Sequence, residues 1–339
     1  DSMGGLVGMG TASLTIENSH NAAAITIDYN STRSTNYVGG LVGYGGTTLT
    51  ITGSYNEGPV NSVSNYTGGL AGYALDKPTI NDSYNEGDVT VSGVTNTDYV
   101  GGIVGGLGNT YETVTPILEG VHNEGKVSVN SIGTASKYTG GVAGYIAAGV
   151  PDSKDISIKD CHNTGEITGG NNTGGVFGSL GKELGTILRC YNTKAVETNG
   201  MIAAGIVLGG VAGDMGDKTA LSYCYNTGDL TTIGGNIAAV GGITGSNAGT
   251  SASYVSAAFN TGQIMALNYD NVGGITGLNY INNKNVYYSR DIVDSSNMVV
   301  DAEAKGTKGV DPVQVTNGGL AYMLDEGEKG YFRTRLWCQ

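Results

Sequence analysis

Two short motifs alternate along almost the whole chain, and repetition at this interval requires an array of like units that bury one another's faces. Gly-Gly-aliphatic-x-Gly begins at Gly4, Gly39, Gly68, Gly101, Gly140, Gly174, Gly209, Gly241 and Gly273. Neighbouring copies lie between 29 residues (Gly39 to Gly68) and 39 residues (Gly101 to Gly140) apart. Between them stands small-aromatic-Asn, usually followed by x-Gly: Ser54-Tyr55-Asn56-Glu57-Gly58, Ser83-Tyr84-Asn85-Glu86-Gly87 and Val121-His122-Asn123-Glu124-Gly125. It continues as Cys161-His162-Asn163, Cys190-Tyr191-Asn192, Cys224-Tyr225-Asn226 and Ala258-Phe259-Asn260, with degraded copies at Ser19-His20-Asn21 and Val286-Tyr287-Tyr288.

The period inside each unit is two. The third position of the glycine motif is Leu, Ile or Val in every copy (Leu41, Leu70 and Ile103 among them), which predicts a core-facing residue, whereas the more variable fourth position reads as half-exposed. Alternating runs such as Val89-Thr90-Val91 follow the Asn motif. Each unit therefore offers three short strands: one on each motif and one on the run. A three-strand unit of this length is one coil of a parallel β-solenoid, so the predicted fold class is all-β, with about nine coils making a rod roughly 40 Å long. A β-propeller blade needs four strands and ~40–50 residues, more chain than the shorter units hold. The 59 glycines among 339 residues are expected at tight corners that need positive φ and close backbone approach. They do not recur every third residue, which excludes collagen.

Charge narrows the partners. With 30 acids against 17 bases the net charge is −13, and there is no basic stripe to track phosphates, so no nucleic-acid partner is expected and an anionic membrane surface is disfavoured. No apolar run is long enough to span a bilayer, so no membrane insertion is expected within this segment. The chain opens at Asp1 already inside a repeat unit and reads as an internal piece of a longer polypeptide, whose further domains are expected partners.

The pairing of Gly-Gly-Leu-Val-Gly with Ser-Tyr-Asn-x-Gly resembles the GLUG repeat of bacterial cell-surface and secreted proteins, over about residues 1–290. The resemblance implies an extracellular or cell-surface location and an adhesin-like β scaffold that contacts a host surface protein or glycan. It carries over no catalytic residues. The expected organisation is a repeat solenoid over 1–296 and a capping segment over 297–339, since a solenoid must cover its last coil. In that segment Gly318–Asp325 reads as a short amphipathic helix, and the chain ends in Trp337-Cys338-Gln339.

Six columns of residues are candidate sites. His20, His122 and His162 all fall in the aromatic slot, which predicts stacked rings and no metal. Cys161, Cys190 and Cys224 take the small residue before that slot, where buried free thiols fit and disulfide geometry is poor. Asn56, Asn85, Asn123, Asn163 and Asn226 predict a stacked amide column. Glu57, Glu86 and Glu124 share one position and Asp88 lies nearby. Stacked like charges repel, which leaves either a solvated acidic edge with no cofactor or a Ca²⁺ site.

The tyrosines are the least ordinary feature. Tyr44, Tyr73 and Tyr145 follow the glycine motif with parity opposite to the buried aliphatic, and Tyr37, Tyr66, Tyr99 and Tyr138 precede it. Both columns fade after the fifth coil, where the slots read Asn172, Leu208, Ala239 and Asn271, or Ser179, Asp214, Ser246 and Leu278. Rows of rings that keep much of their area in water are candidate binding residues for a sugar or a protein; stacking that merely stiffens the edge is the other reading. No nucleophile, zinc or phosphate-loop motif occurs. The acids are scattered, so a non-catalytic scaffold is expected, with a polysaccharide-degrading β-helix enzyme or an accessory region of a larger secreted protease or glycosidase as the alternatives.

Overall fold

The computed structural model describes residues 2–27, 37–92, 98–108, 113–130, 137–198, 205–233, 237–248, 250, 252–266, 271–278, 283–291 and 307–316. Every strand pairs in parallel with the matching strand of the next coil, which makes the chain a parallel β-solenoid. One coil runs through four sheets. In the second coil, Tyr37–Gly39 belongs to the first sheet (S1) and Val42–Gly45 to the second (S2). Thr48–Thr52 and, after a kink, Tyr55–Asn56 form the third (S3), and Val60–Ser62 lies in the fourth (S4). Among the described residues S1 and S2 each contain nine strands and S4 eight.

In the second coil five strands replace the expected three. The glycine motif bends in its middle and contributes two strands, and the Thr48–Thr52 run before the Asn motif supplies another. The bend also corrects the reading of the fourth motif position. Leu41 sits at the turn and Val42 opens the next strand, so both point inward and both are fully buried. Leu41, Leu70 and Ile103 are buried in one core, linked by Leu41 N–H to Leu70 carbonyl and Leu70 N–H to Ile103 carbonyl bonds of 2.9 Å each.

The motif glycines meet one of the two expected requirements. None of the motif glycines lies at positive φ; close approach alone explains them. A Cβ on Gly72 would stand 2.5 Å from the Val38 nitrogen and 2.7 Å from the Gly43 oxygen of the coil below, so S1 and S2 pack backbone to backbone. A Cβ on Gly69 would lie 2.3 Å from Cγ of Asn85. The second glycine of one motif is thus the seat for the asparagine of the other.

The positive-φ corner is elsewhere, at the kink inside S3. There one residue per coil is left-handed: Asn18, Gly53, Asp82, Gly120, Asp160, Arg189, Tyr223, Ala257 and Asn285. S3 continues beyond residue 296, because Thr307–Val310 pairs with Lys284–Ser289. A short helix, Pro312–Thr316, follows. The helix expected over Gly318–Asp325 and the terminal Trp337-Cys338-Gln339 lie outside the described residues. Among the described residues, no helix is long and apolar enough to cross a membrane.

Candidate functional site

The Asn column is a continuous hydrogen-bonded ladder. The Nδ2 of each residue donates to Oδ1 of the next at 2.8 Å, from Asn21 through Asn56, Asn85, Asn123, Asn163, Asn192 and Asn226 to Asn260. The same nitrogen donates to the carbonyl two residues on, such as Gly58 at 2.7 Å. Asn56 through Asn260 are fully buried, so these bonds replace water that cannot enter. Tyr288 takes the next position and ends the ladder.

Beside it runs an aromatic ladder: His20, Tyr55, Tyr84, His122, His162, Tyr191, Tyr225 and Phe259, with centroids 4.6–5.0 Å apart and planes within 10°. The histidines are therefore stacked rings. Burial between rings lowers the His162 pKa to about 4, with His122 next to it adding to the effect. Burial also lowers His122, against the pull of Glu124 and Glu86. Because the ring faces cover one another, this ladder offers only edges to solvent.

Cys161, Cys190 and Cys224 are free, fully buried and stacked in the slot held by Ser54 and Ser83 in earlier coils. The slot is less apolar than expected: Ser54 Oγ donates to the Thr52 carbonyl at 2.9 Å, and Cys190 Sγ repeats that bond to Leu188 at 3.4 Å. Burial pushes the Cys190 and Cys224 thiols well up.

Glu57, Glu86 and Glu124 are exposed, and Asp88 caps the next coil by accepting from Lys126 N–H at 2.9 Å. Among the described residues no three His, Cys, Asp or Glu side chains are grouped to hold a metal ion. Acids elsewhere pair with bases one coil away: Asp160 takes a two-pronged bond from Arg189 (2.6 and 2.7 Å), and Glu183 takes Lys218 at 2.6 Å.

The tyrosine columns differ most from their expected state. Tyr73 is only 3% exposed and Tyr99 9%, so these two rings do not stand in water. Strand parity gave the wrong answer because S1 and S2 lie back to back. The column before the motif and the column after it therefore meet where the arch opens, and interdigitate. Tyr37 lies 5.1 Å from Tyr44 and 5.2 Å from Tyr73, Tyr66 stacks on Tyr99 at 4.6 Å, and Tyr99 on Tyr138 at 5.1 Å. Burial raises the Tyr66 hydroxyl pKa strongly and Tyr145's to about 12. Tyr37, Tyr44, Tyr66, Tyr138 and Tyr145 are half-buried. The fourth coil breaks the row with Gly106, over which the Tyr66 ring lies. Above Tyr138 the register places Asn172 and then Val207, not Leu208, which faces the core.

Residues 63–90 match the family model of the GLUG motif. They hold the Tyr66 strand, the glycine bend, the Ser83-Tyr84-Asn85 kink and the start of the next S4 strand, which is close to one complete coil. Residues 63–90 carry the GLUG motif, and the same residue pattern recurs in the other coils. In this protein the GLUG unit is thus a coil whose two motifs lock together through the Gly69–Asn85 contact. No curated protein and no solved structure gave a match.

Proposed function

We propose that this GLUG-repeat solenoid is a non-catalytic scaffold, the adhesive or spacing segment of an exported bacterial surface protein, which works by holding contact residues at fixed intervals against a host protein or glycan. The observation that carries the reading is where coil length varies. The bend between S1 and S2 and the kink within S3 each take two residues from the second coil through the sixth, as at Gly40-Leu41 and Gly53-Ser54. The corner from S4 to S1 takes two residues after Gly169 but seven after Thr198. The corner from S2 to S3 also varies, with two residues between Gly45 and Thr48 in one coil and the extra strand Thr113–Val114 in another. Variable connections on one side of an invariant repeat are where solenoids carry recognition. The tyrosine-lined mouth of the S1–S2 arch lies between these two corners.

The test is retention of the purified chain on mucin, host cells and a glycan array, run beside a polysaccharide panel assayed for newly released reducing ends. Specific retention without cleavage supports a contact scaffold. Cleavage would replace this reading with the β-helix enzyme, and absence of retention on every surface would leave spacing as the role.

A further inference from the structure

We infer that the step where the tyrosine stack ends, between the fifth and seventh coils, is a binding ledge for a neutral pyranose ring. The inference deepens the contact-scaffold reading and rests on it. Its first support is the way the stack ends. Tyr99, stacked between Tyr66 and Tyr138, is buried, whereas Tyr138 and Tyr145, the last ring of each column, are half-buried. Tyr138 is parallel to Tyr99 within 4°, so its other face looks along the rod axis toward the sixth coil. The slots there shrink from rings to Asn172 and Ser179, next to Tyr138 and Tyr145 respectively.

The second support is polar chemistry at the height of a bound ring. Asp214 follows Ser179 in the same column, and Ser246 follows Asp214. Burial raises the Asp214 pKa, opposed by hydrogen bonds from Ser246 and the Met215 backbone. Two coil steps, about 10 Å, separate the Tyr145 and Asp214 positions. A pyranose has one apolar C–H face for an aromatic ring and a rim of hydroxyls for an amide and a carboxylate. Tyr138 or Tyr145, Asn172 and Asp214 supply that set from three successive coils. A carboxylate at this position disfavours an acidic sugar, because like charges in a partly desolvated site repel. The continuous aromatic ladder on S3 cannot take the same ligand, since its ring faces are covered.

Saturation-transfer NMR on the intact chain, with methyl β-galactoside and N-acetylglucosamine as probes and glucuronic acid as control, tests the ledge. One ring should bind with a dissociation constant on the order of 1 mM, and glucuronic acid should give no transfer. Ser179→Tyr extends the column with the residue already present at Tyr44, Tyr73 and Tyr145. Ser179 is only 6% exposed, so a melting curve first establishes that the variant is folded; the folded variant should show no transfer, and Asp214→Asn, at a half-buried position, should weaken binding several-fold. If neither neutral probe binds, or if both variants bind as the parent does, the ledge is wrong. The contact-scaffold reading would survive that result wherever the parent is still retained on mucin or cells.

Discussion

Replacing Asn123 by Ala should be among the most damaging small changes available to this protein. Asn123 accepts from Asn85 at 2.8 Å and donates to Asn163 Oδ1 at 2.8 Å and to the Gly125 carbonyl at 2.7 Å, with no exposed surface. Each bond contributes about 1 kcal/mol net, and a buried group left without its partner costs a further ~1–3 kcal/mol. Asn85 keeps its bond to Gly87 and Asn163 keeps one from Gly165 N–H, which leaves the Gly125 carbonyl as the main orphan of the Asn123 side-chain bonds. With three bonds lost and one carbonyl orphaned, the expected loss is therefore about 4–6 kcal/mol. Asn21→Ala is the internal control. Asn21 begins the ladder with one amide link, to Asn56, and two turn bonds with Ala23, whose carbonyl accepts from Nδ2 and whose N–H donates to Oδ1; Ala23 is exposed, so water can replace both turn bonds and the loss should be about 1–2 kcal/mol. Urea unfolding followed by circular dichroism measures both, and hydrogen exchange read coil by coil shows whether damage spreads to neighbours, as a nearest-neighbour stack requires. Equal effects at positions 21 and 123, or a change under 0.5 kcal/mol at Asn123, would refute the ladder as the spine of the rod.

Gly72→Ala should destabilise strongly or prevent folding, since its Cβ meets backbone of the coil below, whereas Gly8→Ala, at the same motif position with its nearest atom 3.1 Å away, should be mild; melting temperatures of the pair decide this. His162, with its pKa lowered to about 4 by burial, is neutral in the fold and takes up a proton more readily when unfolded. Its stabilising effect is complete above pH ~6.5 and is lost as pH falls toward 4; after allowance for solvent screening it amounts to about 1–2 kcal/mol. His162→Phe should flatten that part of a stability-against-pH curve, and an unchanged slope would count against the stacked-ring reading. Cys161, Cys190 and Cys224 should resist thiol reagents in the native state and react fully once unfolded; rapid native labelling would contradict their burial. If Glu57, Glu86 and Glu124 form a solvated edge, melting temperature should be the same in calcium and in chelator, and a rise of several degrees with calcium would instead establish a cation site.

The parallel solenoid and its register were legible because both motifs carry residues that nothing else replaces. Asn is the one side chain that can donate and accept along a ladder while also closing its own turn, and Gly is the one residue that admits that Asn at its back. The left-handed corner left no such trace. It is filled by Asn18, Gly53, Asp82, Arg189 and Tyr223 alike, because neighbouring coils hold the chain there whatever the side chain. Exposure of the tyrosines was misread for a related reason. Alternation within a strand says which way a side chain points, but not whether a second sheet lies across from it, and S2 stands across from S1 in every coil.

The repeat therefore separates two kinds of position by physics. Where backbone meets backbone, at Gly39, Gly72 or Gly105, or where an amide must continue a ladder, one residue type fits and the copies agree. The arch mouth has no such constraint: the slot after the glycine motif runs Met9, Tyr44, Tyr73, Gly106, Tyr145, Ser179, Asp214, Ser246 and Leu278 along one continuous column. A column free to vary while its scaffold stays fixed is where a rod of identical coils can acquire a local binding specificity. The change from rings to small polar side chains at Ser179 marks one such place within an otherwise periodic surface.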